Sequence, residues 1–251
     1  DYDDRTGEIQ KNGGFLVKKY LPDKEVFSAM DIPEYIYNIT MGCAWNKLYR
    51  KDFIREIGLK FQNIRRVEDA FFTMTANVEA KRICCVDRRL IYYRRNIEGS
   101  QQGRNAATPE LMFAAVEACK VNLQKNGTFE FFEKSYNNWA LENLLWDALN
   151  MKSAGALEMA YEKLRTEYLQ ILGLQNLEKE YFYNEYFYKL YEEVRNYSVV
   201  EYLFRRNQEN VRNGQLEFVY RLPDWEMEKG GRVVLYGAGN VGCSYFYRIM
   251  R

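Results

Sequence analysis

Histidine is absent from this chain of 251 residues. That absence excludes Ser-His-Asp and Cys-His catalysis, and metal sites built on His, within these residues. The five cysteines form no C-x-x-C pair; they are Cys43, Cys84, Cys85, Cys119 and Cys243. An odd number without that spacing predicts reduced thiols packed as small hydrophobic side chains, with Cys84 and Cys85 in a buried strand.

A dominant charge and a long apolar run are also missing. The net charge is +1, so no strong field draws the chain to nucleic acid, and we expect no nucleic-acid partner. No apolar run approaches the roughly 18 residues of a spanning helix, and no signal peptide opens the chain. The sequence lacks an initiating Met and stops after a new strand and turn, so we expect a fragment that lacks residues at both ends.

What is present is ordinary globular composition, 47% hydrophobic and 28% charged, around one acidic pair. Glu68-Asp69 precedes the apolar run AFFTMTANVEAKR, which predicts a helix from about Ala70 to Lys81. Asp69 is then either an ordinary N-cap or an acid/base carboxylate. The helix N-terminus favours the ionised carboxylate and the like charge of Glu68 opposes it, so sequence alone leaves both interpretations open.

Trp45-Asn46-Lys47 is a candidate sugar-binding group. The Trp ring could stack on a sugar, and the amide and ammonium could bond its hydroxyls. The alternative interpretation is a core Trp beside surface polar groups.

Arg94-Arg95 is a candidate anion-binding group. Residues 82–87 and 90–93 read as two short strands, which places the Arg pair at a strand end. There it could clamp a diphosphate bidentately, or form a solvated basic edge.

From Thr108 the pattern becomes helical. Thr108-Pro109 predicts an N-cap followed by Pro at the first helical position. The first expected helix ends near Lys125. Three more cover about 129–151, 157–171 and 177–196, and residues 199–210 are a candidate fifth. Their aromatic stripes indicate a packed bundle, and nothing in them indicates catalysis.

The last residues contain a G-x-G-x-x-G turn after a strand at 232–236. Gly237, Gly239 and Gly242 would let a pyrophosphate approach a helix N-terminus, which predicts a Rossmann-type start. The acidic residue expected about 20 positions later falls beyond Arg251, and a single βα unit cannot bind a dinucleotide. Within this chain the motif is only the start of such a fold.

At the other end of the chain, Asp1-x-Asp3 could bind a metal. No strand precedes it to orient the carboxylates, so a solvated loop is the favoured interpretation.

Three places in order resemble the C-terminal part of bacterial family-2 glycosyltransferases, which are GT-A type enzymes of capsule and other surface polysaccharides. They are Trp45 to Arg50, Glu68-Asp69 with Phe72 three positions on, and Tyr92-Tyr93-Arg94 running to Gly99-Ser100. The resemblance covers residues 35–102 and implies an α/β fold that is mostly helical in this chain. We expect residues 1–104 to be the acceptor-side half of a GT-A domain, 105–222 a helical domain, and 223–251 a linker and a truncated Rossmann-like start.

The resemblance also implies an activity. It is the inverting transfer of a sugar from a nucleotide-diphosphate donor to a hydroxyl of a glycan or lipid-linked acceptor. Asp69 would be the general base, with Glu68 beside it. The family's D-x-D motif, which would hold Mg²⁺ or Mn²⁺, should lie upstream of Asp1, so we assign no metal ligand here and expect this chain alone to be inactive.

The expected location is cytoplasmic, with peripheral attachment at the inner face of the membrane as a further option. The oligomeric state is left unassigned. A non-catalytic helical interaction module, and a nucleotide-binding domain built on the GAGNVG turn, remain alternative hypotheses.

Overall fold

The computed structural model describes residues 2–3, 6–9, 15–86, 88, 90–95 and 107–212, and the structural statements below concern these residues. Tertiary contacts divide the chain into two units, residues 1–196 and 197–251. Each unit is treated by itself. The domain boundaries expected at 104/105 and 222/223 lie outside the described residues and stay predictions.

Helices make up most of the described chain, which confirms the mostly helical prediction. The α-helices are α1 (Lys51–Glu56), α2 (Glu68–Glu79), α3 (Leu111–Lys125), α4 (Phe129–Leu149), α5 (Ala154–Lys163), α6 (Leu169–Ile171), α7 (Glu185–Asn196) and α8 (Val199–Arg212). A π-helical turn over Leu164–Tyr168 joins α5 to α6. Short 3₁₀ turns cover Lys18–Tyr20, Ala29–Asp31 and Lys179–Tyr181. The two strands are β1 (Tyr2–Asp3) and β2 (Arg94–Arg95), and they pair in parallel.

The strands predicted at 82–87 and 90–93 are wrong over the residues that the structure describes. The first is reduced to one antiparallel bridge between Phe27 and Ile83, and the second has no strand. Cys84 and Cys85 are exposed, whereas Cys119 is buried as expected. A β-type side-chain pattern makes a strand only when a neighbouring strand accepts its backbone hydrogen bonds, and the described chain offers almost none.

The core is built on α4, which packs against α3, α5 and α7, while α2 packs against α3. The stripe predicted on α4 comprised Phe132, Tyr136, Trp139 and Asn143. Its three aromatic residues are buried, which confirms the prediction for them, and Asn143 is half-buried. The Tyr136 hydroxyl donates to the Val116 carbonyl at 3.0 Å, so its ring is buried while its polar tip is satisfied. The aromatic stripes therefore belong to the core.

Two polar side chains of α4 form hydrogen bonds with the backbone of segments that are distant in sequence. Ser135 Oγ accepts the Tyr37 N–H at 2.9 Å. Asn138 donates to the Tyr181 carbonyl at 3.0 Å and accepts the Tyr183 N–H at 2.9 Å. Because buried backbone groups need partners, these bonds determine where both segments lie on α4.

The predicted helix start at Thr108 is displaced. Helix α3 begins at Leu111, and its N-cap residue is Glu110, which makes no side-chain cap bond. Thr108 Oγ1 instead accepts a hydrogen bond from Arg66 Nε at 3.3 Å. A long-range partner has therefore replaced the local one that the Thr-Pro pattern predicts.

The apolar stripe from Leu157 to Ile171 is interrupted by the π-helical turn. Tyr161, Leu164 and Tyr168 are buried, but Ile171 is exposed. A π turn adds a residue to one helical turn, so it rotates the following side chains off the stripe.

In the second unit, α8 begins with a capping box. The Ser198 N–H donates to Glu201 Oε2 at 2.9 Å, and the Glu201 N–H donates to Ser198 Oγ at 3.4 Å. Among the described helices of both units, none combines the length and the apolar sequence needed to cross a bilayer.

Candidate functional site

Asp69 is the second residue of α2, two positions after the N-cap. The N-cap residue is Val67, which makes no side-chain cap bond. Asp69 is half-buried, and its Oδ2 accepts the Ala44 N–H at 3.3 Å. The carboxylate thus bonds the preceding loop, residues 41–47, and the N-cap interpretation of Asp69 is wrong.

The 41–47 loop lies directly on the first turns of α2. A Cβ added at Gly42 would stand 3.5 Å from Ala70 Cα and 3.6 Å from Met74 Cε. This close approach brings the loop backbone to the Asp69 carboxylate. Trp45, Asn46 and Asp69, named separately from sequence, therefore lie at the same end of α2.

Lys47 holds the shape of that loop. Its ammonium donates to the carbonyls of Met41 and Cys43 and to Asn46 Oδ1, each at 2.8 Å. Burial lowers the pKa of Lys47 to about 8, against the opposing charge of Asp69. Three acceptors match the three N–H donors of an ammonium, so Lys47 is occupied within the loop. Its expected contact with substrate stays a prediction.

The pKa of the Asp69 carboxyl is raised above its ordinary value, mainly because burial disfavours the charged form. The charge of Glu68 acts in the same direction, while the Ala44 N–H and the charge of Lys47 act against it. The burial of this carboxyl, which raises its pKa, could not be predicted from the sequence. A carboxylate with a raised pKa is a stronger base, which suits proton abstraction near neutral pH.

Trp45 is neither a core residue nor fully exposed. Its side chain is 39% exposed. Its ring stacks on Tyr93 with centroids 5.2 Å apart and meets the edge of Phe15 at 5.3 Å. The Tyr93 contact brings the third sequence motif beside the first, and it places β2 next to the 41–47 loop.

The remaining predicted site residues divide between described and undescribed parts of the chain. Glu68 is half-buried in the first turn of α2, and Arg94 is exposed in β2. The Arg95 side chain lies outside the described residues, as do Gly237, Gly239 and Gly242, so their assignments stay predictions. A small cleft between α3, α4 and α5 and an open one beside α7 contain none of the predicted site residues.

Sequence reasoning missed two features directly upstream of Asp69. Val67 has a φ of 56°, in the left-handed region that a β-branched residue rarely adopts. Arg66 is 8% exposed and forms a bidentate ion pair with Asp147 of α4, which is 2% exposed. The available signal was weak: Asp147 interrupts the otherwise apolar stretch LLWDAL.

No metal site is formed by the residues that the structure describes. Among them, no three His, Cys, Asp or Glu side chains lie close enough together to hold an ion. Asp3 Oδ1 accepts the Thr6 N–H at 3.3 Å, while Asp1 lies outside the described residues. These residues therefore do not fit a metal, and no chemical step is assigned to one here.

Comparison with known proteins gives one informative similarity. The chain is 28% identical over 127 residues to a protein of Bacillus subtilis (strain 168) described as "Putative glycosyltransferase EpsH". The aligned part covers 49% of this chain and 37% of that protein, so the chain spans well under half of the relative. No family model matches the chain, and no solved structure matches it significantly. The similarity supports a relationship to a glycosyltransferase.

Proposed function

We propose that this chain is the acceptor-side part of a GT-A glycosyltransferase of family 2, in which Asp69 is the general base. The observation that carries the proposal is the half-buried Asp69 carboxylate, which accepts the Ala44 N–H from the loop of Trp45 and Asn46. Asp69 is not the N-cap residue of its own helix. The similarity to a glycosyltransferase over 127 residues supports the same reaction class.

In the proposed reaction an acceptor hydroxyl attacks the anomeric carbon of a nucleotide-diphosphate sugar. The new bond joins the acceptor oxygen to that carbon. The bond from the carbon to the diphosphate oxygen breaks, and the nucleoside diphosphate leaves with the electron pair. Asp69 takes the hydroxyl proton as attack proceeds in line with the leaving group, so the anomeric configuration inverts.

The other site residues have binding roles in this proposal. The partly exposed Trp45 ring offers a stacking surface for a sugar, and Asn46 offers an amide for its hydroxyls. Glu68, adjacent to Asp69, raises the base strength of that carboxylate by like-charge repulsion. Arg94 and Arg95 would bind the donor diphosphate.

The pathway, the location and the metal are inferred from the family that the three motifs resemble. The acceptor would be a glycan or lipid-linked hydroxyl in surface polysaccharide synthesis, at the cytoplasmic face of the membrane. The divalent metal of the family would neutralise the leaving diphosphate, held by residues other than those described here. Residues 223–251 would begin a fused Rossmann-like segment.

The test is Asp69→Asn in the intact protein, with nucleoside diphosphate release measured over a panel of nucleotide-diphosphate sugars and acceptor glycans. Turnover should fall by at least about 10²-fold, because the proton acceptor is lost. Donor affinity, measured by calorimetry, should change little because the carboxylate serves the acceptor.

Asp52→Asn is the matched control, since Asp52 is also the second residue of its helix, α1, but is exposed. It should leave turnover unchanged. Turnover by Asp69→Asn close to that of the parent would remove Asp69 from the mechanism.

A further inference from the structure

The turn before α2 holds an unusual backbone conformation next to the proposed base. Val67 is the N-cap residue, and its φ of 56° and ψ of 22° lie in the left-handed region. Valine is branched at Cβ, so this conformation crowds its side chain against the backbone. Such a residue persists only where its surroundings over-determine it.

The residue before it supplies that constraint. Arg66 is buried and donates to both carboxylate oxygens of Asp147, from Nη1 at 2.6 Å and from Nη2 at 2.9 Å. It also donates to Thr108, from Nε to Oγ1 at 3.3 Å and from Nη2 to the carbonyl at 3.1 Å. One guanidinium thus joins the start of α2 to α4 and to the residues before α3.

Stability alone does not account for a pair of this kind. Removing two charges from water costs about as much as their attraction returns, so well-packed apolar residues are often as stable. A bidentate guanidinium does fix direction, because its planar fork accepts a carboxylate in one orientation. What the pair contributes is therefore geometry, at the point where the chain turns into α2.

The other side of the turn is held by packing. Ala70, Phe72 and Met74 of α2 are buried, so the helix cannot rotate freely. The Ala70 N–H also donates to the Val67 carbonyl at 3.1 Å. Val67 thus lies between the anchored Arg66 and the buried face of α2, and Asp69 follows two residues later.

We propose that Arg66 and Asp147 are positioning residues that hold Val67 in its left-handed conformation and thereby aim the Asp69 carboxylate at the 41–47 loop. This inference rests on the proposed function only where it concerns turnover. The geometric part, that the pair sets the surroundings of Asp69, stands apart from any activity.

The test replaces the pair by apolar residues of similar volume, Arg66→Met with Asp147→Leu, in the intact protein. The Asp69 carboxyl is observed by ¹³C NMR after labelling Asp, and its signal is identified by its loss in Asp69→Asn. In the parent the Asp69 carboxyl is affected by burial, by Glu68 and Lys47, and by the N–H groups of Ala44 and of Asp69 itself. Cys43 and Tyr49 also face it. If the pair aims Asp69, the double variant moves this carboxyl into water, and its pKa falls toward the ordinary value while the urea midpoint is retained.

Turnover is measured on the same variant. It should fall by roughly tenfold to 10²-fold with the donor KM unchanged, because a misplacement of about 1 Å costs up to about 10²-fold. The surface pair Arg195 and Glu192 on α7, 2.9 Å apart, provides the control. Arg195→Met with Glu192→Leu should alter neither the Asp69 titration nor turnover.

Arg66→Lys covers the case in which the double variant does not fold. Lysine keeps the positive charge beside Asp147 but lacks the planar fork that bonds both carboxylate oxygens, so the charge stays paired while the direction of the turn is no longer fixed. The Asp69 pKa should again fall toward its ordinary value. An unchanged Asp69 titration in a folded double variant, or in Arg66→Lys if the double variant does not fold, overturns the inference.

The two proposals fail differently. Normal turnover in Asp69→Asn, with a shifted carboxyl titration in the pair variant, would reject the base and retain the positioning device. Lost turnover in Asp69→Asn, with the titration and turnover of the pair variant unchanged, would retain the base and reject the device.

Discussion

At the scale of single residues, burial raises the pKa of two carboxyl groups. Asp69 is one example, and Glu142 on α4 is another. Burial raises the pKa of Glu142 to about 7, and the charge of Lys19 only partly opposes this. Below the unfolded-state value of 4.5 the group is protonated in both states and costs nothing. Between about pH 4.5 and 7 the unfolded state has lost this proton while the folded state retains it, so the free energy of unfolding falls as pH rises, and the loss is complete above about 7.

Glu142→Gln should therefore stabilise the protein at pH 8 relative to the parent, by about 1–3 kcal/mol, and have little effect at pH 4. Urea unfolding at the two pH values measures the difference. Glu133→Gln, an exposed position on the same helix, serves as the control and should be nearly neutral at both. A gain of the same size at pH 4 and pH 8 would contradict the pKa explanation.

At the scale of elements, α4 organises the first unit through polar as well as apolar contacts. The Asn138 amide satisfies one carbonyl and one N–H of the segment that leads into α7. Leucine has a similar size but can satisfy neither. A buried backbone group without a partner costs more than the bond it loses.

Asn138→Leu should lower the free energy of unfolding by about 1–3 kcal/mol and increase hydrogen exchange at the Tyr183 amide. Asn143→Leu is the matched control, because among the described residues the Asn143 side chain donates to the Trp139 carbonyl of the same helix, at 2.7 Å. Its loss should stay below about 1 kcal/mol. Equal losses of unfolding free energy in the two variants would show that the bonds of Asn138 to the segment before α7 contribute nothing to stability.

Elements with a local signal were predictable from sequence. Helix α2 begins within two residues of the predicted start, because an acidic pair followed by an apolar run is a local pattern. Helix α4 begins at the predicted residue, after Asn126-Gly127, for the same reason. The π-helical turn at 164–168 has no such signal. The same holds for the exposed stretch around Cys84, whose single bridge joins Ile83 to Phe27, distant in sequence.

At the scale of the whole molecule, the contacts separate residues 1–196 from residues 197–251. The first unit contains its own core, which continues to Leu190, Tyr191 and Val194 on α7. A unit with a complete core folds without the rest of the chain.

A chain shortened to residues 1–196 should unfold cooperatively, with a urea midpoint close to that of the parent, followed by circular dichroism. A chain shortened further, to residues 1–176, lacks α7 and its buried face and should lose most of its stability. Failure of the 1–196 chain to unfold cooperatively would show that its core is incomplete.

The residues of the candidate site were named from sequence and stay predictions, whereas the contacts that hold them in place could not be predicted. The motif of Glu68-Asp69 identified the carboxylate, and Trp45 identified the loop, because both are local patterns of chemically distinctive residues. The bond from Ala44 to Asp69 spans 25 residues, and the ion pair of Arg66 spans 81. Contacts at such separations leave no periodic trace in a single sequence, so neither could be predicted.

The left-handed valine has a consequence for directed evolution. Glycine at position 67 relieves a conformation that costs about 1–2 kcal/mol, more than glycine loses in chain entropy. A laboratory selection for heat resistance alone would therefore tend to enrich that change. Because Arg66 and Asp147 would still hold the turn, the selected proteins should gain stability while the Asp69 carboxylate keeps its orientation, and an assay of turnover should show no loss.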